Sequence, residues 1–201
     1  MTMPEMLTTV ARTMGFSFAA GINLYATVAI IGLAQRLGWV VLPEQFRVFD
    51  NDYVIGAALV LFVIEFFADK VPWLDSLWDA IHTLIRPVGG ALIAVAAMGH
   101  ASPTVEGFAA LLGGTLAAGT HFTKASTRAV ANTSPEPFSN WALSLAEDAF
   151  VIGLSTLALK YPLAAAVVVI VGVVVMVWFA TWIVRGVRRR WQRPAVAGAR
   201  G

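Results

Sequence analysis

Two pairs of acidic residues lie inside or at the edge of strongly hydrophobic segments. Glu65 and Asp69 are four residues apart at the end of the apolar segment Tyr53–Ala68, which places them on one face of a helix. Glu147 and Asp148 interrupt a second apolar segment. A charge within a hydrophobic span is costly, so it usually faces the interior of a helix bundle and has an ionic partner or a function. The four carboxylates therefore predict a cation site, a proton pathway or buried ion pairs.

A stripe of basic and polar residues offers partners for these acids. His121, Lys124 and Arg128 are spaced three and four residues apart, on one helical face. Asn23 and Tyr25 follow the first of two Ala-Ala-Gly segments, and His121 follows the second. Two interpretations stay open. In one, Lys124 or Arg128 forms fixed ion pairs that hold the bundle together. In the other, the acids bind a cation or carry a proton, while the stripe and the two other polar residues line the path.

Soluble enzyme chemistry has no support in the sequence. The chain contains no cysteine, so thiol catalysis and cysteine-based metal sites are excluded. The three histidines are far apart, and no P-loop, nucleophile-elbow, dinucleotide or zinc motif is present. A formal charge of +2 is too small for a nucleic-acid binder. We therefore predict a protein that is not an enzyme, needs no cofactor and binds no nucleic acid, with metal binding left open.

The composition predicts an all-α membrane protein. Of the 201 residues, 58% are hydrophobic and 13% are charged, and the mean hydropathy is +0.75. A soluble domain contains about 25% charged residues. One small core cannot hide this much apolar surface, so the lipid bilayer is expected to solvate part of it.

Hydrophobic segments predict about six transmembrane helices in one domain that covers residues 1–184. The candidate spans are Phe16–Leu33, Tyr53–Ala68, Pro87–Gly99, Phe108–Gly119, Trp141–Leu159 and Leu163–Val184. The first is interrupted near Asn23, and the third and fourth are too short to cross alone, so broken helices are expected. A basic tail, residues 185–201, follows the last span. The positive-inside rule then predicts a multi-pass protein with both termini in the cytoplasm.

Between two of these spans, the segment Leu74–Arg86 has the pattern of an amphipathic helix. Its apolar residues share one face, and the opposite face carries Asp75, Asp79, His82 and Arg86. A proline borders the segment on each side. The pattern predicts a helix that lies at the cytoplasmic interface of the membrane with its polar face in water.

A weak internal repeat relates the two halves of the chain. A shift of 98 positions places Gly15–Leu24 over Gly113–Phe122, with both Ala-Ala-Gly segments in register. Halves at 6–100 and 104–184 would have three spans each and opposite orientations, which is the inverted-repeat plan of many secondary transporters. We therefore expect a small secondary transporter or exporter, coupled to an ion or a proton, that handles a small ion or solute. The alternative is a membrane scaffold or partner subunit with purely structural ion pairs, and a second copy of the chain is a further candidate partner.

Three polar motifs carry a resemblance to a known family. They are GINLYA (Gly21–Ala26), EFFADKVPWLDSLWDAIHTLIRP (Glu65–Pro87) and THFTKASTRAVANTSPEP (Thr120–Pro137). With these motifs the chain resembles a bacterial family of membrane proteins catalogued as domain of unknown function 4126, over roughly Met6 to Val184. The resemblance implies a small multi-span inner-membrane protein whose polar motifs form the functional surface. It implies no particular activity.

Overall fold

The computed structural model describes residues 2–99, 101–133 and 138–191. These residues form seven α-helices and one short 3-10 helix, Glu44–Val48, and contain no strand, which confirms the all-α prediction. The helices are α1 (Met3–Ile22), α2 (Leu24–Arg36), α3 (Asp52–Ala68), α4 (Pro72–Met98), α5 (Pro103–Ala131), α6 (Phe138–Lys160) and α7 (Pro162–Trp191). The basic tail is thus helical as far as Trp191, and the rest of it lies outside the described residues.

Asn23 both ends α1 and begins α2. Its backbone is extended (φ −146°, ψ 98°), and its own N–H donates to the carbonyl of Ala19 at 2.9 Å. Its side-chain oxygen accepts from the N–H of Ala26 at 2.9 Å, as an N-cap residue does. The break predicted in the first Ala-Ala-Gly segment is therefore confirmed. The break predicted in the second is wrong, because α5 continues through Ala117–Gly119 and no capping residue follows there.

The break at Asn23 reverses the chain. Ser17 of α1 donates to the carbonyl of Gly90 at 3.1 Å, whereas the carbonyl of Gly21 accepts from Arg86, one turn earlier in α4. Helix α1 therefore runs antiparallel to α4 and towards the end of the bundle that contains Asn23, Lys70 and Asn132, which we call the polar end.

Helix α2 then runs away from the polar end. Tyr25 contacts His82 in the first half of α4, but Gly32 packs against Ile55 at the start of α3. Helices α1 and α2, which are joined only by Asn23, thus form a hairpin. The predicted span Phe16–Leu33 therefore belongs to two helices of opposite direction and is not one broken crossing.

The directions of α1 and α7 decide where the described chain begins and ends. Gly15 packs against Ala165, and Phe18 packs against Gly172, so the two helices are parallel. Helix α7 therefore ends at the polar end of the bundle, whereas α1 begins at the other end. The prediction that both termini lie in the cytoplasm stays a prediction, because residue 1 and residues 192–201 lie outside the described part of the chain.

The inverted repeat is also wrong. The segments that the shift of 98 positions aligns lie in α1 and α5, and these helices are parallel neighbours. A Cβ on Gly113 would lie 2.8 Å from the hydroxyl of Ser17, and one on Gly21 would meet the backbone of Ala117. Halves of inverted topology would place these segments in opposite directions. The shared Gly and Ala residues instead let two backbones approach closely, which is the usual use of small residues between helices.

Helix α4 replaces the predicted interfacial helix and the short span after it. It is one helix of 27 residues with Pro87 in its interior. Its polar face is buried against α3 and α5, and Arg86 is fully inaccessible, while the apolar side chains of Leu84 and Ile81 are exposed. The prediction of a water-facing polar face is wrong because it assumed that water, and not the rest of the protein, would solvate the charges.

Three helices among the described residues are long and apolar enough to span a membrane, namely Pro72–Met98, Phe138–Lys160 and Pro162–Gly186. The helix Pro162–Gly186 has a mean hydropathy of 2.9, yet only 11% of its most apolar segment of 18 residues is buried. Helix α3, predicted as Tyr53–Ala68, has 17 residues and leaves apolar side chains such as Val60 and Phe67 exposed. The outside of the bundle is thus largely apolar.

The interior is divided between an apolar half and a charged half. Away from the polar end, aromatic and aliphatic side chains such as Phe16, Phe46 and Ile93 are fully buried. Towards the polar end, the largest fully buried side chains are Arg86 and Arg128. The charged half is the candidate functional site.

Candidate functional site

Four helices bring charged side chains together at the polar end. They are the last turn of α3, the first half of α4, the second half of α5 and the first half of α6. Because α3 and α5 run towards this end while α4 and α6 run away from it, polar segments far apart in sequence meet at the same depth. The ion network consists of the carboxylates Glu65, Asp69, Asp75, Asp79 and Glu147 and the bases Arg86, Lys124 and Arg128.

Glu65 and Arg86 form the most deeply buried pair. Arg86 Nη2 donates to Glu65 Oε1 at 2.7 Å, and both side chains are inaccessible. Arg86 Nη1 also lies 3.3 Å from Asp79 Oδ1, and Lys124 Nζ reaches the same Glu65 oxygen at 3.3 Å. One carboxylate therefore joins a base of α4 to a base of α5.

Asp69 and Glu147 share the two bases of α5. Asp69 Oδ2 lies 3.0 Å from Lys124 Nζ and 2.8 Å from Arg128 Nη2. Glu147 Oε2 lies 3.5 Å from the same lysine and 3.1 Å from the same arginine. Arg128 also donates to the backbone carbonyl of Asp69, directly after α3, and to that of Asn140 in α6. The predicted ion pairs of Lys124 and Arg128 are thus present, and each base has more than one acid.

Asp75 closes the network on its outer side. Its Oδ1 lies 3.8 Å from Arg128 Nε, and its Oδ2 accepts from the side-chain amide of Asn132 at 2.7 Å. Asn132 also accepts from Asn140 of α6 at 2.7 Å. This amide relay fixes the ends of α4, α5 and α6 relative to one another.

The network contains more acid than base. Five carboxylates contact three bases, so the fully ionised network has a formal charge of minus two. Three carboxylate oxygens, Glu65 Oε2, Asp69 Oδ1 and Asp75 Oδ1, are buried and accept no hydrogen bond from the described residues. Burying uncompensated charge is costly. A bound proton or cation is the direct way to lower that cost.

Two histidines have defined hydrogen-bond roles. Arg86 Nη1 lies 2.9 Å from His121 Nδ1, and because a guanidinium only donates, that nitrogen must be unprotonated. His121 Nε2 then carries the hydrogen, 3.2 Å from the hydroxyl of Thr83. His82 Nδ1 faces the carbonyl of Trp78 at 2.7 Å, which only accepts, so its Nε2 accepts from Tyr25 at 2.7 Å when the ring is neutral.

Asn23 and Asp148 form a separate polar contact beside the network. Asn23 Nδ2 donates to Asp148 Oδ1 at 3.1 Å, and both residues are buried. Asp148 Oδ2 accepts no hydrogen bond from the described residues. Lys70 lies near this side, with its ammonium 3.1 Å above the ring of Phe66 and 3.3 Å from the hydroxyl of Ser144.

All nine predicted site residues therefore lie at the polar end, in three groups. Glu65, Asp69, Lys124, Arg128 and Glu147 belong to the ion network, and His121 joins it through Arg86. Asn23 contacts Asp148, and Tyr25 contacts His82. The site also contains residues that were not predicted from the sequence, those of the polar face of α4, namely Asp75, Asp79, His82 and Arg86. Their spacing of four, three and four is visible in the sequence, but an amphipathic pattern predicts that such a face meets water.

A cavity of about 190 Å³ reaches the network from the side, between α1, α5, α6 and α7. Its lining residues are Phe18, Ile22, Thr120, Thr123, Lys124, Thr127, Leu143, Glu147 and Met176. A second cavity of about 410 Å³ lies along α5 and α7 and shares Thr123 and Met176 with the first. The two together form a groove that leads from the outside of the bundle to Lys124 and Glu147.

The donor set does not suit a metal ion. Among the described residues, no group of three or more His, Asp or Glu side chains converges as metal ligands. The acids of the network are instead separated by Arg86, Lys124 and Arg128, whose positive charges would repel a divalent cation. The arrangement favours proton binding at individual carboxylates.

The comparison with known families accounts for most of the chain. The family described as Domain of unknown function (DUF4126) matches residues 10–183. The chain belongs to this family. The resemblance inferred from the three polar motifs is thereby confirmed. No curated protein and no solved structure matches the chain.

The match to DUF4126 includes every residue of the ion network and all residues that line the two cavities except Val184. The three motifs that carry the resemblance supply Asn23 and Tyr25, then Glu65 to Arg86, then His121 to Asn132. In the fold these motifs are the break between α1 and α2, the junction of α3 and α4, and the end of α5. The family motifs thus coincide with the polar end, apart from residues 134–137, which lie outside the described part of the chain.

Proposed function

We propose that this chain is an integral protein of the bacterial inner membrane, with its seven helices in the bilayer. The support is an inside-out distribution of side chains. Apolar residues such as Leu84, Phe67 and Trp178 are exposed, while Arg86 and Arg128 are fully buried. Water would penalise this exposed apolar surface by about 25 cal/mol for each Å², whereas lipid would not.

The polar end faces the cytoplasm in this proposal. The strongly basic segment that begins at Arg185 forms the last turns of α7 at this end, and Lys70 lies in the α3–α4 junction there. Positively charged flanks are retained on the cytoplasmic side. Since α1 begins at the other end, the start of α1 faces away from the cytoplasm, in contrast to the orientation expected from six spans.

Within the membrane, the protein is a small secondary transporter coupled to protons. The observation that carries this proposal is the sharing of three bases among five carboxylates, of which Glu65, Asp69, Asp75 and Asp79 are buried and Glu147 is partly exposed. Protonation of Glu147 would leave Lys124 with Asp69 and Glu65 and Arg128 with Asp69 and Asp75. Protonation of Asp69 would instead shift both bases towards Glu147. A network with two near-equivalent pairings can switch between them when a proton arrives or leaves, which is the requirement for coupling.

Reconstituted protein tests this proposal. Proteoliposomes that contain a pH-sensitive dye would receive amino acids, hexoses, dicarboxylates or quaternary amines under an imposed pH gradient. We expect at least one class to move protons with the native protein, and Glu147→Gln to abolish that movement while the helical content is retained. Glu44→Gln is the matched control, because Glu44 is exposed and its neighbour Gln45 lies beside Gly99, at the end of α4 far from the polar end.

The second candidate is a non-transporting scaffold with structural ion pairs. It is favoured by Lys124, whose ammonium already contacts Ile22, Glu65 and Asp69. The transporter is refuted if no solute class causes more proton movement in proteoliposomes than in protein-free liposomes. If Glu147→Gln then lowers only the thermal stability, the scaffold function is supported.

A further inference from the structure

The polar groups that line the cavity between α1, α5, α6 and α7 are available to a ligand mainly as hydrogen-bond acceptors. Its walls are mostly apolar, with Phe18, Ile22 and Met176 among them, and its polar side chains lie along α5 and at Glu147. What these polar groups can still donate or accept determines which ligand the cavity suits.

The threonines of the cavity act as acceptors. Thr123 donates its hydroxyl hydrogen to the carbonyl of Gly119 at 2.9 Å, and Thr127 donates to the carbonyl of Thr123 at 2.9 Å. Thr120 likewise donates to backbone carbonyls one turn earlier. A hydroxyl has one hydrogen and two lone pairs. Each of the three oxygens therefore keeps lone pairs for a ligand but has no hydrogen to give.

The charged groups at the cavity have the same bias. Lys124 has three hydrogens, and it contacts the carbonyl of Ile22, Glu65 and Asp69 as acceptors. Its side chain is 2% exposed, against 13% for Glu147. Every described contact of Glu147 uses Oε2, so Oε1 takes part in none of them. The carboxylate, not the ammonium, is the charge that a ligand in the cavity would meet.

We propose that this cavity binds a protonated primary amine that carries an apolar group. The ammonium donates to Glu147 Oε1 and to threonine oxygens, and the apolar group occupies the groove beside Met176. The positive charge reduces the excess of negative charge in the ion network, and the adjoining 410 Å³ cavity gives room for the apolar group. The proposal rests on the proposed function in that the amine is then the transported class, but binding itself is measured without transport.

Calorimetric titration of the protein in lipid nanodiscs tests the site, with empty nanodiscs as reference. The probes share a six-carbon chain: hexylammonium, hexyltrimethylammonium, hexanol and hexanoate. We expect hexylammonium to bind at least tenfold more tightly than each of the others, because only it combines positive charge with N–H donors. Equal binding of hexanol, or preference for hexanoate, would overturn the proposal.

Two variants separate the site from the fold. Glu147→Gln should weaken hexylammonium binding at least tenfold, and Met176→Trp, which removes no charged group, should block the groove and do the same. Glu44→Gln should bind like the native protein. Should Glu147→Gln not fold, Met176→Trp decides alone, and native-like binding by it refutes the site. Amine binding without any proton movement would support the amine site and refute the transporter. Proton movement without amine binding would support the transporter and refute the amine site.

Discussion

Replacing Arg86 by glutamine removes the most deeply buried positive charge of the ion network. The guanidinium contacts Glu65 at 2.7 Å, Asp79 at 3.3 Å and His121 at 2.9 Å, and its side chain is inaccessible. The variant would change the formal charge of the network from minus two to minus three. It would also leave Asp79 with no base among its described ion pairs.

The expected cost follows from this burial. Removing one partner of a buried ion pair costs about 3 to 5 kcal/mol, because the other charge stays buried and unpaired. For a chain of this size, each kcal/mol lowers the unfolding midpoint by about 2 to 4 °C, so the midpoint should fall by about 6 to 20 °C. Arg36→Gln is the control. Arg36 pairs with Asp50 and Asp52 but is 37% exposed, and such surface pairs contribute about 1 kcal/mol or less.

Thermal unfolding followed by circular dichroism in lipid–detergent micelles would measure both variants. The double variant Arg86→Gln with Glu65→Gln returns the network to minus two, so we expect it to be more stable than Arg86→Gln alone. Two results would refute the reasoning. One is an Arg86 variant no less stable than the Arg36 control, and the other is a double variant whose cost equals the sum of the two single costs.

Three further predictions concern packing, capping and the solvent of α4. Gly113→Ala should lower stability by about 1 to 3 kcal/mol, because its Cβ would meet Ala94 and the carbonyl of Gly90; Gly153→Ala, with nothing within 4 Å, should instead be neutral or stabilising in the same unfolding assay. Asn23→Ala should cost about 1 to 2 kcal/mol through loss of the α2 cap, and a melting point unchanged from the native one would contradict that role. A spin label on Leu84→Cys should be more accessible to oxygen than to a water-soluble nickel reagent, and the opposite preference would show that this face meets water.

The polar segments could be predicted from the sequence because their signals are local. Asn23 follows small residues in an apolar segment, and its side chain caps the next helix whatever surrounds it. Glu65, Asp69, Glu147 and Asp148 stand out because acids are rare in hydrophobic segments. These arguments need no knowledge of the neighbours, and all of the residues they selected lie at the polar end.

The role of α4 could not be read from the sequence, because an amphipathic pattern defines two faces but not what each face meets. Asp75 and Arg86 share the polar face whether that face meets water or other helices. The choice depends on charges of α3 and α5, such as Glu65 and Lys124, which are close to it only in the folded chain. The two Ala-Ala-Gly segments pose the same difficulty, since a break and a close helix contact both favour small residues.

Sequence alone thus determined that the chain is helical, that its surface is apolar and that certain acids and bases lie inside. The tertiary structure decided the direction of each helix, the pairing of Glu65 with Arg86 and the sharing of Lys124 and Arg128 between Asp69 and Glu147. The physical reason is one of range. Hydrophobic periodicity and capping act within a few residues of the chain, whereas the partners of a buried charge depend on how separate helices align, and here that alignment places five acids around three bases.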